Sequence, residues 1–96
     1  FDDTIIAYEP IWAIGSDMAA TPEQTNKMGK FIRNKINKNI PDEIKNLKII
    51  YGGSVNTKNA LQLFALESVD GGLIGRASLD LGEFLSICKA ATSITN

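Results

Sequence analysis

Three times along this chain a short strand-like run ends at a glycine-bearing loop, and a segment with helical spacing follows. No other feature constrains the fold as much. The first run, Thr4-Ile5-Ile6-Ala7-Tyr8, falls within a strand expected over residues 3–8. The second is Leu47-Lys48-Ile49-Ile50-Tyr51, and the third is Gly72-Leu73-Ile74. The first two read as buried strands. Strands alternating with helices of this length argue for parallel strands joined by right-handed crossovers. Such α/β folds place ligands at the carboxyl ends of the strands, where Gly15, Gly52-Gly53 and Gly75 lie. Loops offering free backbone N–H groups on one face form a nest for an anion.

The helix starts are well marked. Thr21 can cap, Pro22 sits at the first helical position and Gln24 completes a capping box. Met28, Phe31, Ile32 and Ile36 then recur at helical spacing and give the expected inward face, until Pro41 biases its predecessor out of the helix. A second helix is expected over residues 57–66, capped by Asn56, with Leu61, Phe64 and Ala65 facing inward. Residues 75–79 could form one helical turn. Asp80 and Glu83 make a capping pair for a last helix, which is expected to bury Leu81, Phe84, Leu85, Ile87 and Cys88 and to fray by Ser93.

Glu9 stands where the first strand stops, and Pro10 forbids the pairing to continue because it has no N–H to give. Residues 10–20 then form a long connection, apolar at Ile11, Trp12 and Ile14 and with Gly15 at its tip. Loops this long in compact chains are more often lids or binding loops than plain connectors. Taken alone, Glu9 reads equally well as a strand-end surface carboxylate, and Trp12 as a core residue. Gly52-Gly53-Ser54 alone reads as a strand-to-helix turn in which two glycines permit a tight bend and close approach of a ligand.

Composition removes other classes. The 96 residues suffice for one small domain, carry a formal charge of −1, and intersperse positive with negative residues, which argues against a polyanion-binding surface. No apolar run is long enough to span a bilayer, and there is no basic-then-apolar leader. The single cysteine, Cys88, cannot form an internal disulfide, which fits a reducing compartment. There is no histidine, so neither imidazole metal ligation nor histidine catalysis is available, and neither a metal nor a cofactor is expected.

The stretch Tyr8-Glu9-Pro10-Ile11-Trp12-Ala13-Ile14-Gly15 resembles the signature of the triosephosphate isomerase family. Tyr51-Gly52-Gly53-Ser54-Val55 resembles that family's seventh strand–loop motif, and Leu73-Ile74-Gly75-Arg76-Ala77-Ser78-Leu79 its eighth, in the family order and spacing. The resemblance implies an α/β fold, the (β/α)8 TIM barrel, to which residues 1–96 contribute the last three strand–helix units as part of one domain. It implies Glu9 as the base that moves a proton between dihydroxyacetone phosphate and glyceraldehyde 3-phosphate, beneath a closing loop; the family is the general example of both devices. Gly15, Ser54, Gly75 and Arg76 would offer backbone N–H groups to the substrate phosphate. Pro10, Ile11, Trp12, Ala13, Ile14 and Ser16 would belong to the lid. Tyr51 would hold the lid closed, and Ile14 and Leu73 would clamp Glu9. The implied partners are a small phosphorylated triose and a second copy in a homodimer, with no nucleic acid and no membrane, in a cytoplasmic enzyme of glycolysis and gluconeogenesis.

Three positions depart from the family pattern: Arg76 where a second glycine is usual, Met18 where lysine is common, and Asp17 where glycine is common. A complete barrel takes roughly 250 residues, and the family's lysine and histidine come from strands outside this chain. Phe1 begins almost at a strand, which reads as a cut, whereas the carboxyl end reads as natural. The isolated chain is therefore expected to be marginally stable, to associate with itself or with the missing portion, and to have no isomerase activity. Two other readings are another phosphate-binding isomerase barrel, which would lack the Tyr-Glu-Pro-Ile-Trp flap, and a non-catalytic module built from a barrel fragment.

Overall fold

The computed structural model describes residues 4–13, 19–39 and 47–94. In chain order these form β1 (Ile5–Tyr8), α1 (Pro22–Asn39), β2 (Lys48–Gly53), α2 (Ala60–Phe64), β3 (Gly71–Ile74) and α3 (Leu81–Ile94), with single 3-10 turns at Ile11–Ala13 and Arg76–Leu79. The strands make one parallel sheet in the order β1-β2-β3, as the alternation of elements requires. Tyr8 is level with Tyr51, and Gly53 with Ile74, so all three strands deliver the chain to the same rim.

The caps of α1 and α3 form as expected. The Thr21 N–H donates to Gln24 Oε1 at 2.9 Å and the Gln24 N–H to Thr21 Oγ1 at 3.1 Å, the reciprocal pair of a capping box. Asp80 Oδ1 accepts the Glu83 N–H at 2.9 Å at the start of α3. Asn56, the expected cap of the second helix, instead holds the turn before it: its Oδ1 accepts the N–H groups of Lys58 and Asn59, while the N-cap position of α2 falls at Asn59 with no side-chain cap. The Pro41 stop lies outside the described residues.

The core gathers under the central strand. Ile49 and Tyr51 of β2 are fully buried, and Tyr51 clusters with Val55, Ala60, Leu63, Val69, Ala77 and Ile87. Arg33 staples α1 to this layer. Its guanidinium donates to the Leu47 and Ser68 carbonyls and, at 2.6 Å, to Asp70 Oδ2, which also accepts the Ile49 N–H.

Several expected faces need correction. Among the described residues β1 lies at the edge of the sheet, with Ile5 64% exposed rather than buried. On α1 the buried residues are Thr25 and Gly29, whereas Phe31 is exposed and Met28, Ile32 and Ile36 are only half-buried. The helix sits close to the Ser68 segment, and close approach selects small residues over large ones. On α2, Ala60 and Leu63 face inward, while Leu61 and Ala65 face out and Phe64 is half-buried. The helix starts three residues later than expected, which shifts its inward phase. On α3 only Ile87 is buried, while Leu81, Phe84, Leu85 and Cys88 are exposed. Apolar residues occur almost all round that helix, so periodicity does not select one face. The charges are not interspersed on α1 either, which carries five basic residues against Glu23 alone.

Gly29 fixes the α1 approach. A Cβ there would lie 2.7 Å from the Ser68 Cβ and 3.1 Å from the Ser68 carbonyl oxygen. Ser68 cannot yield easily, because its hydroxyl donates to Asn26 Oδ1 at 2.7 Å. Alanine in place of a mid-helix glycine normally gains about 1 kcal/mol. Overpacking against a held neighbour costs about 1–3 kcal/mol and wins here. Gly29→Ala is therefore expected to lower the denaturant midpoint of the full-length protein, and an unchanged or raised midpoint would contradict this packing.

Candidate active site

The rim at the carboxyl ends of the strands opens into a cleft of about 280 Å³ lined by Glu9, Ala13, Gly52, Gly53, Ser54, Val55, Leu73, Ile74, Gly75, Arg76 and Ala77. Glu9 thus shares one cavity with Ser54, Gly75 and Arg76, although 45 residues or more separate them in sequence. Gly15, Ile14 and Ser16 of the expected site, and the departures at Asp17 and Met18, lie outside the described residues.

The cleft exists because of two glycines, though not for the reason first expected. β2 runs through Gly53, so Gly52 and Gly53 close the strand rather than form the bend, and neither has a left-handed backbone. They provide room. A Cβ on Gly52 would lie 2.8 Å from Glu9 Cγ and 3.2 Å from Glu9 Oε1. The bare backbone at 52 is what lets the carboxylate lie across the strand end. A Cβ on Gly53 would collide with the Tyr51 hydroxyl.

Tyr51 lies beneath the cleft, not in its wall. Its hydroxyl accepts the Ala20 N–H at 2.9 Å in a buried hydrogen bond, which ties the far end of the 10–20 connection to the central strand. Its ring meets that of Tyr8 edge-on, with centroids 6.2 Å apart. Burial first, and then Tyr51, push the Tyr8 phenol above its ordinary range, so it stays neutral beside Glu9.

The near end of that connection is ordered by one 3-10 turn, in which the Ala13 N–H donates to the Pro10 carbonyl at 2.9 Å. Pro10 and Ala13 are buried, whereas Ile11 and Trp12 face outward, Trp12 being 52% exposed rather than a core residue. Of the expected lid and clamp residues, Ala13 and Leu73 line the cleft. Leu73 is level with Gly52 across the sheet and lines the same cleft as Glu9.

Asn59 is a positioning residue that the sequence reading missed. Its Nδ2 donates to the Ser54 carbonyl and its Oδ1 accepts the Asn56 N–H, both at 2.8 Å, which fixes the loop carrying Ser54. The Asn56…Asn59 spacing of a reciprocal cap was the available signal. Among the described residues no group of three or more His, Cys, Asp or Glu side chains could hold a metal.

A parallel α/β rim that gathers one carboxylate and two glycine-flanked loops defines a class: βα-repeat proteins, whose ligands bind at the carboxyl ends of the strands. The comparisons narrow that class. The triosephosphate isomerase family model matches residues 1–91, and the chain belongs to that family. A triosephosphate isomerase of Shewanella sp. (strain W3-18-1) is 53% identical over 93 residues, covering 97% of this chain and 36% of the relative. That of Shewanella loihica shows the same identity and coverage, and that of Shewanella frigidimarina is 52% identical over the same length. The chain thus spans about a third of the length of these relatives.

Proposed function

We propose that the full-length protein interconverts dihydroxyacetone phosphate and glyceraldehyde 3-phosphate, and that this chain supplies its base and most of its phosphate cradle. The observation that carries the reading is the shared cleft of Glu9, Ser54, Gly75 and Arg76. In this reading Glu9 removes a proton from the hydroxyl-bearing carbon next to the substrate carbonyl to give an enediolate, the hydroxyl proton passes from one enediolate oxygen to the other with help from the electrophile outside this chain, and Glu9 returns its proton to the neighbouring carbon, so that atoms and charge balance. The backbone N–H groups of Gly15, Ser54, Gly75 and Arg76 receive the phosphate, where amides at strand ends and helix starts favour an anion. Residues 10–20 act as a lid, and their closure excludes water from the carboxylate and from the labile enediolate. Leu73 and Ile14 give Glu9 an apolar wall. The whole enzyme is a cytoplasmic homodimer of glycolysis and gluconeogenesis, and its electrophile and substrate lysine come from outside this chain. The chain alone has no histidine and turns over no substrate.

The test is isomerase turnover of the full-length protein in deuterated water. Incorporation of solvent deuterium at the carbon next to the carbonyl supports proton transfer by a base, and absence of turnover overturns the reading. Tyr51 gives a finer check. Tyr51→Phe leaves the Ala20 N–H without its acceptor, a loss of about 1–3 kcal/mol. If that bond belongs to the closed lid, affinity for a phosphorylated enediolate mimic falls about tenfold or more while inorganic phosphate binding changes little.

A further inference from the structure

The net charge of −1 conceals a strong segregation. Helix α1 carries Lys27, Lys30, Arg33, Lys35 and Lys38 against Glu23, a charge of +4, and the rest of the chain holds five basic and ten acidic residues, a charge of −5. Arg33 turns inward to Asp70. The four lysines are all exposed. At 100° per residue they fall on one arc of about 140°, and the buried Thr25 and Gly29 lie diametrically opposite. The lysine arc therefore points away from the sheet, the direction in which a layered α/β fold has no further layer.

Phe31 sits within the same arc. It is 57% exposed, and Lys35 Nζ stands 5.9 Å from its ring centroid. Phe31, Asn34, Lys35, Asn37 and Lys38 line a shallow open depression on this face. From Lys27 to Lys38 the stripe runs about 16 Å along the helix axis. Glu23, in the first turn, is the one acidic residue of α1.

We propose that this outward face of α1 is a docking surface for an anionic lipid bilayer. Charge complementarity selects an anionic partner, and the shape selects a flat one. The face is the convex side of a single helix, with no groove to track a polynucleotide backbone and one aromatic ring where a single-strand binder needs a series. A bilayer meets such a helix along its length. The lysine stems lie over the headgroup region with their ammonium groups on lipid phosphates and carboxylates, and Phe31 enters the interface between them. The described acidic residues outside α1 (Glu9, Glu67, Asp70, Asp80 and Glu83) belong to other elements, which favours an approach with α1 toward the surface. The association is peripheral, since no described helix is long and apolar enough to cross a membrane.

The experiment is co-sedimentation of the full-length protein with phosphatidylcholine vesicles, with and without phosphatidylserine. The expected result is binding at least tenfold tighter to the anionic vesicles, lost as salt is raised to about 0.5 M, where charges are screened within a few ångströms. Replacing Lys27, Lys30, Lys35 and Lys38 together by glutamine should weaken binding tenfold or more, and Phe31→Ser severalfold, with isomerase turnover as the check that the variants fold. The salt series uses the unaltered protein and decides the charge question even where a variant unfolds. Equal binding to neutral vesicles, or binding that survives the quadruple replacement, overturns the proposal. So does tighter binding of a single-stranded RNA oligonucleotide than of the vesicles at this face.

Discussion

Glu9→Gln in the full-length protein is expected to lower kcat by about 10³-fold while leaving affinity for inorganic phosphate within about twofold. Glutamine keeps the size and one acceptor oxygen of the side chain but cannot take a proton from carbon. The carboxylate reaches the cleft from the end of β1, whereas Ser54, Gly75 and Arg76 arrive from the ends of β2 and β3, so the change leaves the proposed anion cradle in place. Proton transfer by a positioned side chain contributes about 10²–10⁴-fold, and removing the group that does it should cost a loss in that range. Steady-state kinetics with both triose phosphates, beside a phosphate inhibition curve, read the two quantities separately. A fall in kcat of less than tenfold would remove Glu9 from the role of base. A parallel collapse of phosphate affinity would make it a structural residue of the rim.

Gly52→Ala tests placement rather than chemistry. The added methyl would lie 2.8 Å from Glu9 Cγ, closer than carbon atoms approach, so either the carboxylate or the strand must shift. Glu9 is exposed and has the lower resistance, since Gly52 is buried and paired with Leu73 of β3. Displacing a catalytic group by about 1 Å costs on the order of 100-fold in rate. The expected outcome is therefore a fall of about 100-fold in kcat with a melting temperature close to that of the parent. Gly82→Ala provides the comparison: its Cβ would meet only Asp80 Oδ1 at 3.5 Å, and activity should stay within about twofold. If the two variants behaved alike, Gly52 would not be what makes room for Glu9.

Much of this arrangement was legible in the residues. The strand–helix alternation carried the parallel sheet, because short strands separated by helices leave the chain few other ways to return. Caps were legible because they are local: Thr21 with Gln24, and Asp80 with Glu83, need only each other. The gathering of Glu9 with Ser54 and Gly75 followed from parallel strands ending at one rim, with no knowledge of side-chain contacts. What stayed hidden depends on distance between elements. Periodicity marked Phe31 as core, but α1 approaches its neighbour so closely that only Gly29 and Thr25 fit the contact. α3 is apolar on several sides, and nothing in its own sequence says which side meets α2. Gly52 and Gly53 read in the sequence as a bend that also admits close approach, and only the approach holds, because glycine signals both bends and crowding and the packing around it separates the two. A count of charges along the chain also hid the basic helix, since segregation shows only when residues are sorted by element.

The last three residues at the rim end of β2 face alternately, with Tyr51 and Gly53 on one side and Gly52 on the other. Tyr51 anchors the far end of the flap through Ala20, Gly53 clears space for that phenol, and Gly52 clears space for the carboxylate opposite. Inserting or deleting a single residue upstream in β2 would therefore exchange the two sides and spoil the anchor and the carboxylate's berth in one stroke. Descendants of this chain can lengthen the connections around that tripeptide, but its phase within the sheet is not free to drift.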